Sequence, residues 1–152
     1  MNYAEEIAEA TREIFSSMIM LEVTAKEATK RTSPEFKNSI TGMVGLAGTS
    51  KGNLLIHLPA PVATAVTTAF LGMDVDGIDD DVCDAVGELA NMLAGTVKSA
   101  LDPSGSDIKL SMPTTVYGDA YKLDCQNCGI NVLVPFDLDG AEFSVELQLT
   151  DG

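Results

Sequence analysis

The chain has 152 residues, 45% of them hydrophobic, and carries 23 acidic against 9 basic residues, for a formal net charge of −14. This length supports one hydrophobic core, so we predict a single domain over residues 1–152. The negative charge disfavours nucleic acid and anionic membrane surfaces as partners. The sequence shows no basic leader followed by an apolar run and no apolar stretch long enough to cross a bilayer, so we expect a cytoplasmic protein.

The first half of the chain is predicted to contain two helices and three strands, from the switch between helical and alternating patterns. In chain order these are a helix over Ala4–Ile19, strands over Met20–Arg31, Ser39–Ala47 and Asn53–Leu58, and a short helix between Pro59 and Gly72. Glycines at 48 and 52 favour a hairpin between the last two strands.

A long helix is predicted over Asp79–Leu101, with three consecutive aspartates at the positive end of its dipole. Its apolar residues repeat every three or four positions as a core stripe: Val82, Val86, Leu89, Leu93, Val97 and Ala100. The opposite sector holds Asp84, Glu88, Asn91, Gly95 and Lys98, flanked by the small residues Cys83, Gly87, Ala90 and Ala94. Glycine weakens a helix by roughly 1 kcal/mol relative to alanine, so Gly87 and Gly95 suggest close approach by a partner. A merely solvated face is the plainer interpretation.

The remainder is predicted to be strands and turns, once Asp102–Ser106 has closed the long helix. The predicted strands are Ile108–Tyr117, Ala120–Cys125, Ile130–Asp137 and Glu142–Leu149. This order of elements predicts an α+β fold: an antiparallel sheet with helices packed on it, and one long helix exposing its polar face.

Three cysteines in a chain without a leader favour reduced thiols. Cys125 and Cys128 have the spacing of half a zinc site or of a redox pair, although incidental cysteines in a turn explain them more simply. His57, on an apolar strand, is expected to be a packed or edge-strand residue rather than a catalytic one. We therefore expect no metal or cofactor bound by the chain itself.

The segment from Asp84 to Asn91 reads Asp-Ala-Val-Gly-Glu-Leu-Ala-Asn, and Pro113 lies further along the chain. An acidic residue followed by Glu-x-x-Asn on an exposed helix resembles the signature of the CheC/CheX/FliY family of response-regulator phosphatases. The order of helices and strands agrees over nearly the whole chain. Because the first helix lacks a second Glu-x-x-Asn, the resemblance is to the single-site CheX type. It implies hydrolysis of the aspartyl phosphate of a CheY-like receiver in bacterial chemotaxis, and a homodimer.

The resemblance also implies roles for individual residues. It implies that Asn91 and Glu88 are the catalytic pair. It also implies that the receiver is contacted by other residues on or beside the exposed sector: Asp84, Gly87, Gly95 and Lys98. The receiver supplies its own divalent metal, Mg²⁺, and a lysine, so what is missing is an aligned water. A carboxamide can hold that water without presenting charge to the phosphoryl group, while Glu88 can pair with the receiver's lysine. A non-catalytic receiver-binding or scaffold protein, and a metal or redox protein using the two cysteines, are the alternatives.

Overall fold

The computed structural model describes residues 2–124 and 128–150, and it confirms the predicted α+β fold. The helices are α1 (Tyr3–Ile14), which continues into a π-helical turn (Phe15–Ile19), α2 (Ala60–Leu71) and α3 (Asp80–Leu101). The strands are β1 (Thr24–Ala25), β2 (Glu35–Gly48), β3 (Gly52–Pro59), β4 (Ile108–Leu110), β5 (Thr114–Lys122), β6 (Cys128–Leu138) and β7 (Ala141–Thr150).

All pairs of neighbouring strands in the sheet are antiparallel, in the order β1-β6-β7-β3-β2. The outer side of β2 is shared by two strands: β4 pairs with Leu46–Gly48, and β5 pairs with the stretch from Glu35 to Met43. The predicted hairpin between β2 and β3 is confirmed, since Ser39 pairs with Pro59 and Leu46 with Gly52. The edge of β5 that faces away from β2 is left without a strand partner among the described residues.

Two predicted strands have different bounds in the structure. Only Thr24–Ala25 of the segment Met20–Arg31 is a strand, because most of this polar segment joins β6 through single contacts such as the bridge between Thr29 and Leu133. The predicted break after Tyr117 is also wrong, since β5 continues to Lys122. The break lies instead between β4 and β5, at Pro113, because proline has no N–H to give to the ladder.

Helix α3 packs on β2, and one glycine makes the approach close. A side chain at Gly42 would begin 3.0 Å from Cγ1 of Val86 and 3.2 Å from Cβ of Ala90, so only glycine leaves room for the helix there. The predicted core stripe of α3 is buried from Val82 to Val97, and only Ala100 at its end is half-buried. At the start of the helix, the Asp79 carboxylate accepts the N–H of Val82 at 3.0 Å.

The loop after α3 is held by one buried carboxylate. Asp102 accepts the backbone N–H groups of Gly105, Asp107 and Ile108 at 2.8 to 3.1 Å, and the Ser104 hydroxyl at 2.9 Å. These hydrogen bonds lower the pKa of Asp102 although its burial acts in the opposite direction. These hydrogen bonds fix the turn that connects α3 to β4, and β4 then pairs with β2. No helix within the described ranges is long and apolar enough to cross a bilayer.

Candidate active site

The acidic and amide side chains of the motif lie on the open side of α3. Asp84 and Glu88 are exposed, and Asn91 is half-buried. Residues three or four positions apart on a helix have Cβ atoms about 5–6 Å apart, so the three side chains form one row. Neither Glu88 nor Asn91 has a hydrogen bond or ion pair within residues 2–124 and 128–150. Both side chains are free to meet a partner.

Gly87 is covered by the chain itself, whereas the sequence suggested close approach by a partner. It is buried, and a side chain there would begin 3.8 Å from Cβ of Pro113 and 3.8 Å from Cγ2 of Thr115. The close approach at Gly87 is therefore an internal one, made by the chain's own segment between β4 and β5. Ala90 and Ala94 of the same small-residue flank are buried as well, so this flank faces the sheet rather than a partner. Pro113 is thereby placed beside the row of polar side chains.

Gly95 and Lys98 continue the row toward the end of α3. A side chain at Gly95 would meet no described atom within 4 Å apart from its chain neighbours and the nearby backbone of its own helix, so this glycine does leave an open surface. The Lys98 ammonium lies 3.5 Å from the carbonyl oxygen of Gly105, which directs it toward the loop after the helix. The sector predicted from the sequence is thus open at Gly95 and closed at Gly87.

Cys83 lies one turn before Gly87 and is a free, half-buried thiol. Burial raises the pKa of Cys83, and the carboxylates of Asp80 and Asp84 raise it further, against a hydrogen bond with Thr115. The thiol is therefore protonated at neutral pH, and a protonated thiol is a poor nucleophile. Covalent catalysis by Cys83 is not supported.

A cleft elsewhere on the described chain does not include this face. A cleft of about 530 Å³ opens between the start of α2 and β5, with Pro61, Asp76 and Tyr117 in its wall, and none of Asp84, Glu88 and Asn91 lines it. Within the described ranges, no group of three or more His, Cys, Asp or Glu side chains is arranged to hold a metal ion.

A second polar cluster, which the sequence did not predict, is buried on the face of the sheet opposite the helices. Its centre is Glu146, whose carboxylate accepts hydrogen bonds from Arg31 at 2.8 Å and from His57 at 2.7 Å. The same carboxylate accepts the side-chain amides of Asn131 at 2.6 Å and Gln148 at 3.0 Å. Because all of these partners are satisfied within the protein, the cluster has the character of a structural network.

Ionisation in this cluster follows from its hydrogen bonds. Burial alone would raise the pKa of Glu146, but the bonds from His57 and Asn131, with the Arg31 guanidinium, hold it at about 2. Burial lowers the pKa of His57, so a neutral imidazole can donate from Nε2 to Glu146 and accept at Nδ1 from Thr41, 2.9 Å away. The expectation that His57 is a packed residue is confirmed by its burial.

Only one residue of the cysteine pair belongs to the described chain. Cys125 lies outside the described residues, so its proposed role in a zinc or redox pair is not described by the structure. Cys128 begins β6 and is disulfide-bonded, which corrects the expectation of reduced thiols at this position.

Comparison with known proteins gives matches over most of the chain. Residues 40–137 match the family model described as chemotaxis phosphatase CheX. The CheY-P phosphatase CheX of Thermotoga maritima is 28% identical over 120 residues, which cover 78% of this chain and 76% of that protein.

Solved structures agree over almost the full length. CheX from Desulfovibrio desulfuricans is 27% identical, with a TM-score of 0.86 and 98% and 99% of the two chains covered. A chain of the CheX–CheY–BeF₃–Mg²⁺ complex from Borrelia burgdorferi shares the fold, at 22% identity, a TM-score of 0.84 and 99% coverage of both chains. The match of the family model to nearly two thirds of the sequence, together with these relatives, shows that the chain belongs to the CheX family of chemotaxis phosphatases.

Proposed function

We propose that this protein hydrolyses the aspartyl phosphate of a CheY-like response regulator in chemotaxis signalling. The observation that carries the proposal is the pair Glu88 and Asn91, side by side on the open face of α3 and without a partner in the described chain. Family membership supports it, as does the name of the Thermotoga maritima relative, a CheY-P phosphatase. An open helix face apart from the cleft between α2 and β5 also suits a protein substrate better than a small molecule.

We assign to Asn91 the role of positioning the attacking water. In the reaction, water attacks phosphorus, the bond between phosphorus and the acyl oxygen breaks, and the receiver's aspartate leaves as a carboxylate with inorganic phosphate as the second product. A carboxamide accepts a hydrogen bond from that water and adds no charge, as a glutamine does in GTPases. Its half-buried position on a rigid helix limits the rotamers of the side chain, which favours one water position.

Glu88 is assigned to binding rather than to proton transfer. A carboxylate at the position of the water would meet the phosphoryl oxygens as a like charge in a site shielded from solvent, where repulsion is strong. Three residues before Asn91 and exposed, it can instead pair with the lysine of the receiver and set the register of the complex. We propose that Asp84, Gly95 and Lys98 lie within the same contact.

The receiver is expected to contribute the divalent metal. When bound there, Mg²⁺ polarises the phosphoryl oxygens, and this chain need not hold a metal of its own. The Borrelia burgdorferi complex contains CheX, CheY, BeF₃ and Mg²⁺ together.

We also propose a homodimer. The nine residues of β5 form a sheet edge that has no strand partner within the described chain, and such an edge is a template for antiparallel pairing across a two-fold axis. This pairing uses the backbone N–H and C=O groups of β5, whereas the polar row consists of side chains on α3.

The test is phosphate release from a phosphorylated CheY receiver, measured with and without this protein. Faster release at substoichiometric protein supports a phosphatase, because turnover requires the protein to act repeatedly. Binding to the phosphorylated receiver without any change in its lifetime would instead support the non-catalytic scaffold and would overturn the proposal.

A further inference from the structure

Met112 is the most exposed of the large hydrophobic side chains in the described chain, with 86% of its surface accessible. It lies between β4 and β5, directly before Pro113. The Cβ of Pro113 lies 3.8 Å from the point where a side chain on Gly87 would begin, and Gly87 directly precedes Glu88. Met112 and Glu88 are therefore each one residue away from the same contact between α3 and this segment.

The segment that carries Met112 is held on both sides. On one side, the N–H of Ser111 donates to the carbonyl of Gly45 at 2.9 Å, and the N–H of Gly45 donates to the Ser111 hydroxyl oxygen at 2.8 Å. That hydroxyl in turn donates to the carbonyl of Met112 at 3.0 Å. On the other side, Pro113 has a fixed φ and rests on Gly87. Met112 is thus presented to solvent by an anchored backbone rather than by a loose loop.

We propose that Met112 is an apolar anchor for the phosphorylated receiver, inserted into the receiver's surface at the border of the contact made by Glu88 and Asn91. This inference rests on the proposed function. A protein interface of ordinary size covers about 800 Å² on each partner, which extends roughly 15 Å from its centre. A receiver that brings its phosphoryl group to Asn91 must therefore cover the neighbourhood of Pro113 as well.

The chemistry of methionine suits this position. Its unbranched side chain adapts to an irregular apolar depression, and it is used for that purpose at protein-binding surfaces. The polar row on α3 supplies direction and register but little apolar area, so a single buried hydrophobic side chain supplies much of the affinity. The contact is made with the receiver's surface and not with the phosphoryl group, so it is equally strong before and during the reaction. Such an interaction lowers Kd and KM without changing the rate in the saturated complex.

The experiment compares Met112→Ala with the full-length wild type, using a CheY receiver activated with beryllium fluoride for Kd and the phosphorylated receiver for turnover. We expect Kd and KM to rise by about 10- to 100-fold. The single-turnover rate at saturation should stay within about twofold of wild type. Met112→Leu, of similar volume, should restore binding, whereas Met112→Gln, of similar length but polar, should behave like the alanine variant.

The matched control is Met20→Ala. Met20 is 79% exposed and follows the π-helical turn, shortly before β1, at the opposite end of the strand order from β5. It should leave Kd, KM and turnover unchanged. Circular dichroism checks that each variant folds. If the alanine variant does not fold, the difference in Kd between the leucine and glutamine variants tests the anchor instead.

The outcomes separate the two proposals. A wild-type protein that does not accelerate phosphate release overturns the proposed function itself. An active wild type whose Met112→Ala variant has the same Kd and KM overturns the anchor alone. A variant that binds normally but turns over slowly at saturation also overturns it, because Met112 would then act on the reacting geometry rather than on affinity.

Discussion

Pro113 lies against Gly87, with its Cβ 3.8 Å from the point where a side chain on that glycine would begin. This contact joins the segment between β4 and β5 to the middle of α3, one residue before Glu88. It brings a proline that stands 22 positions beyond Asn91 in the sequence next to the candidate site.

The same substitution at two glycines should have opposite effects. Gly87→Ala adds a methyl group at ordinary contact distance and improves helix propensity, so it should raise the free energy of unfolding by roughly 0.5–1 kcal/mol. Gly42→Ala places its Cβ 3.1 Å from the backbone oxygen of Val86 and 3.2 Å from Cβ of Ala90, neither of which can swing aside. It should lower the free energy of unfolding by about 1–3 kcal/mol. Urea denaturation of both variants measures this, and stabilisation at position 42 would contradict the packing of α3 on β2.

Asn91→Ala should reduce stimulated dephosphorylation by about 100-fold or more, because the water loses its positioning group. Affinity for the phosphorylated receiver should change little, since alanine is well tolerated in a helix. Asn91→Asp should also fail, because it introduces a negative charge beside the phosphoryl oxygens. Single-turnover phosphate release at saturating protein is the measurement, with Thr96→Ala, an exposed position on the same helix, as the control. Turnover at the wild-type rate in both Asn91 variants would end the water-positioning hypothesis.

Glu88→Gln keeps the length of the side chain but removes its charge, so binding to the phosphorylated receiver should weaken by about 1–3 kcal/mol. Glu88→Lys should bind more weakly still, because two ammonium groups would face each other. Titration of the activated receiver measures both. A Glu88→Gln variant that binds like wild type and fails only in turnover would mean that the residue acts as a base.

Glu146→Gln should lower the free energy of unfolding by about 3–5 kcal/mol at pH 7, since it leaves the Arg31 guanidinium in a buried site without its carboxylate. The pKa of Glu146 is lowered from 4.5 to about 2, so its contribution to wild-type stability is fully present above about pH 4.5 and is lost as the pH falls toward 2. The difference between wild type and variant should shrink over that range.

The control for this prediction is Glu142→Gln on the same strand. Glu142 pairs with Lys26 at 3.1 Å on the surface, with both side chains at least half exposed. Its loss should change the free energy of unfolding by less than about 1 kcal/mol. Urea denaturation at pH 7, 4.5 and 3 compares the two variants, and equal effects at pH 7 would argue against a stabilising role for the buried network.

Light scattering tests the proposed dimer. At micromolar concentration we expect twice the chain mass of 16.0 kDa, because the free edge of β5 can extend the sheet into a second subunit. A mass of one chain would contradict the dimer and leave the phosphatase proposal intact.

Much of α3 could be predicted from the sequence, because its information is local. The helical period assigned Val82, Leu89 and Val97 to the core, and the aspartates before it marked its start. The motif Glu-x-x-Asn is equally local, since residues three apart on a helix share a face whatever the rest of the fold does. The family could be recognised for the same reason, from residues within eight positions of one another.

The tertiary structure decided which of the remaining faces are covered. Along β7, Phe143, Val145 and Leu147 alternate into the core, yet the residue between the last two, Glu146, is fully buried on the opposite face. Alternation distinguishes the two faces of a strand but does not say whether a second layer covers the polar one. Here Arg31 reaches Glu146 from 115 positions away, and Pro113 reaches Gly87 from 26 positions away. Burial at these positions depends on contacts between distant parts of the chain, so no local pattern around Glu146 or Gly87 could reveal it.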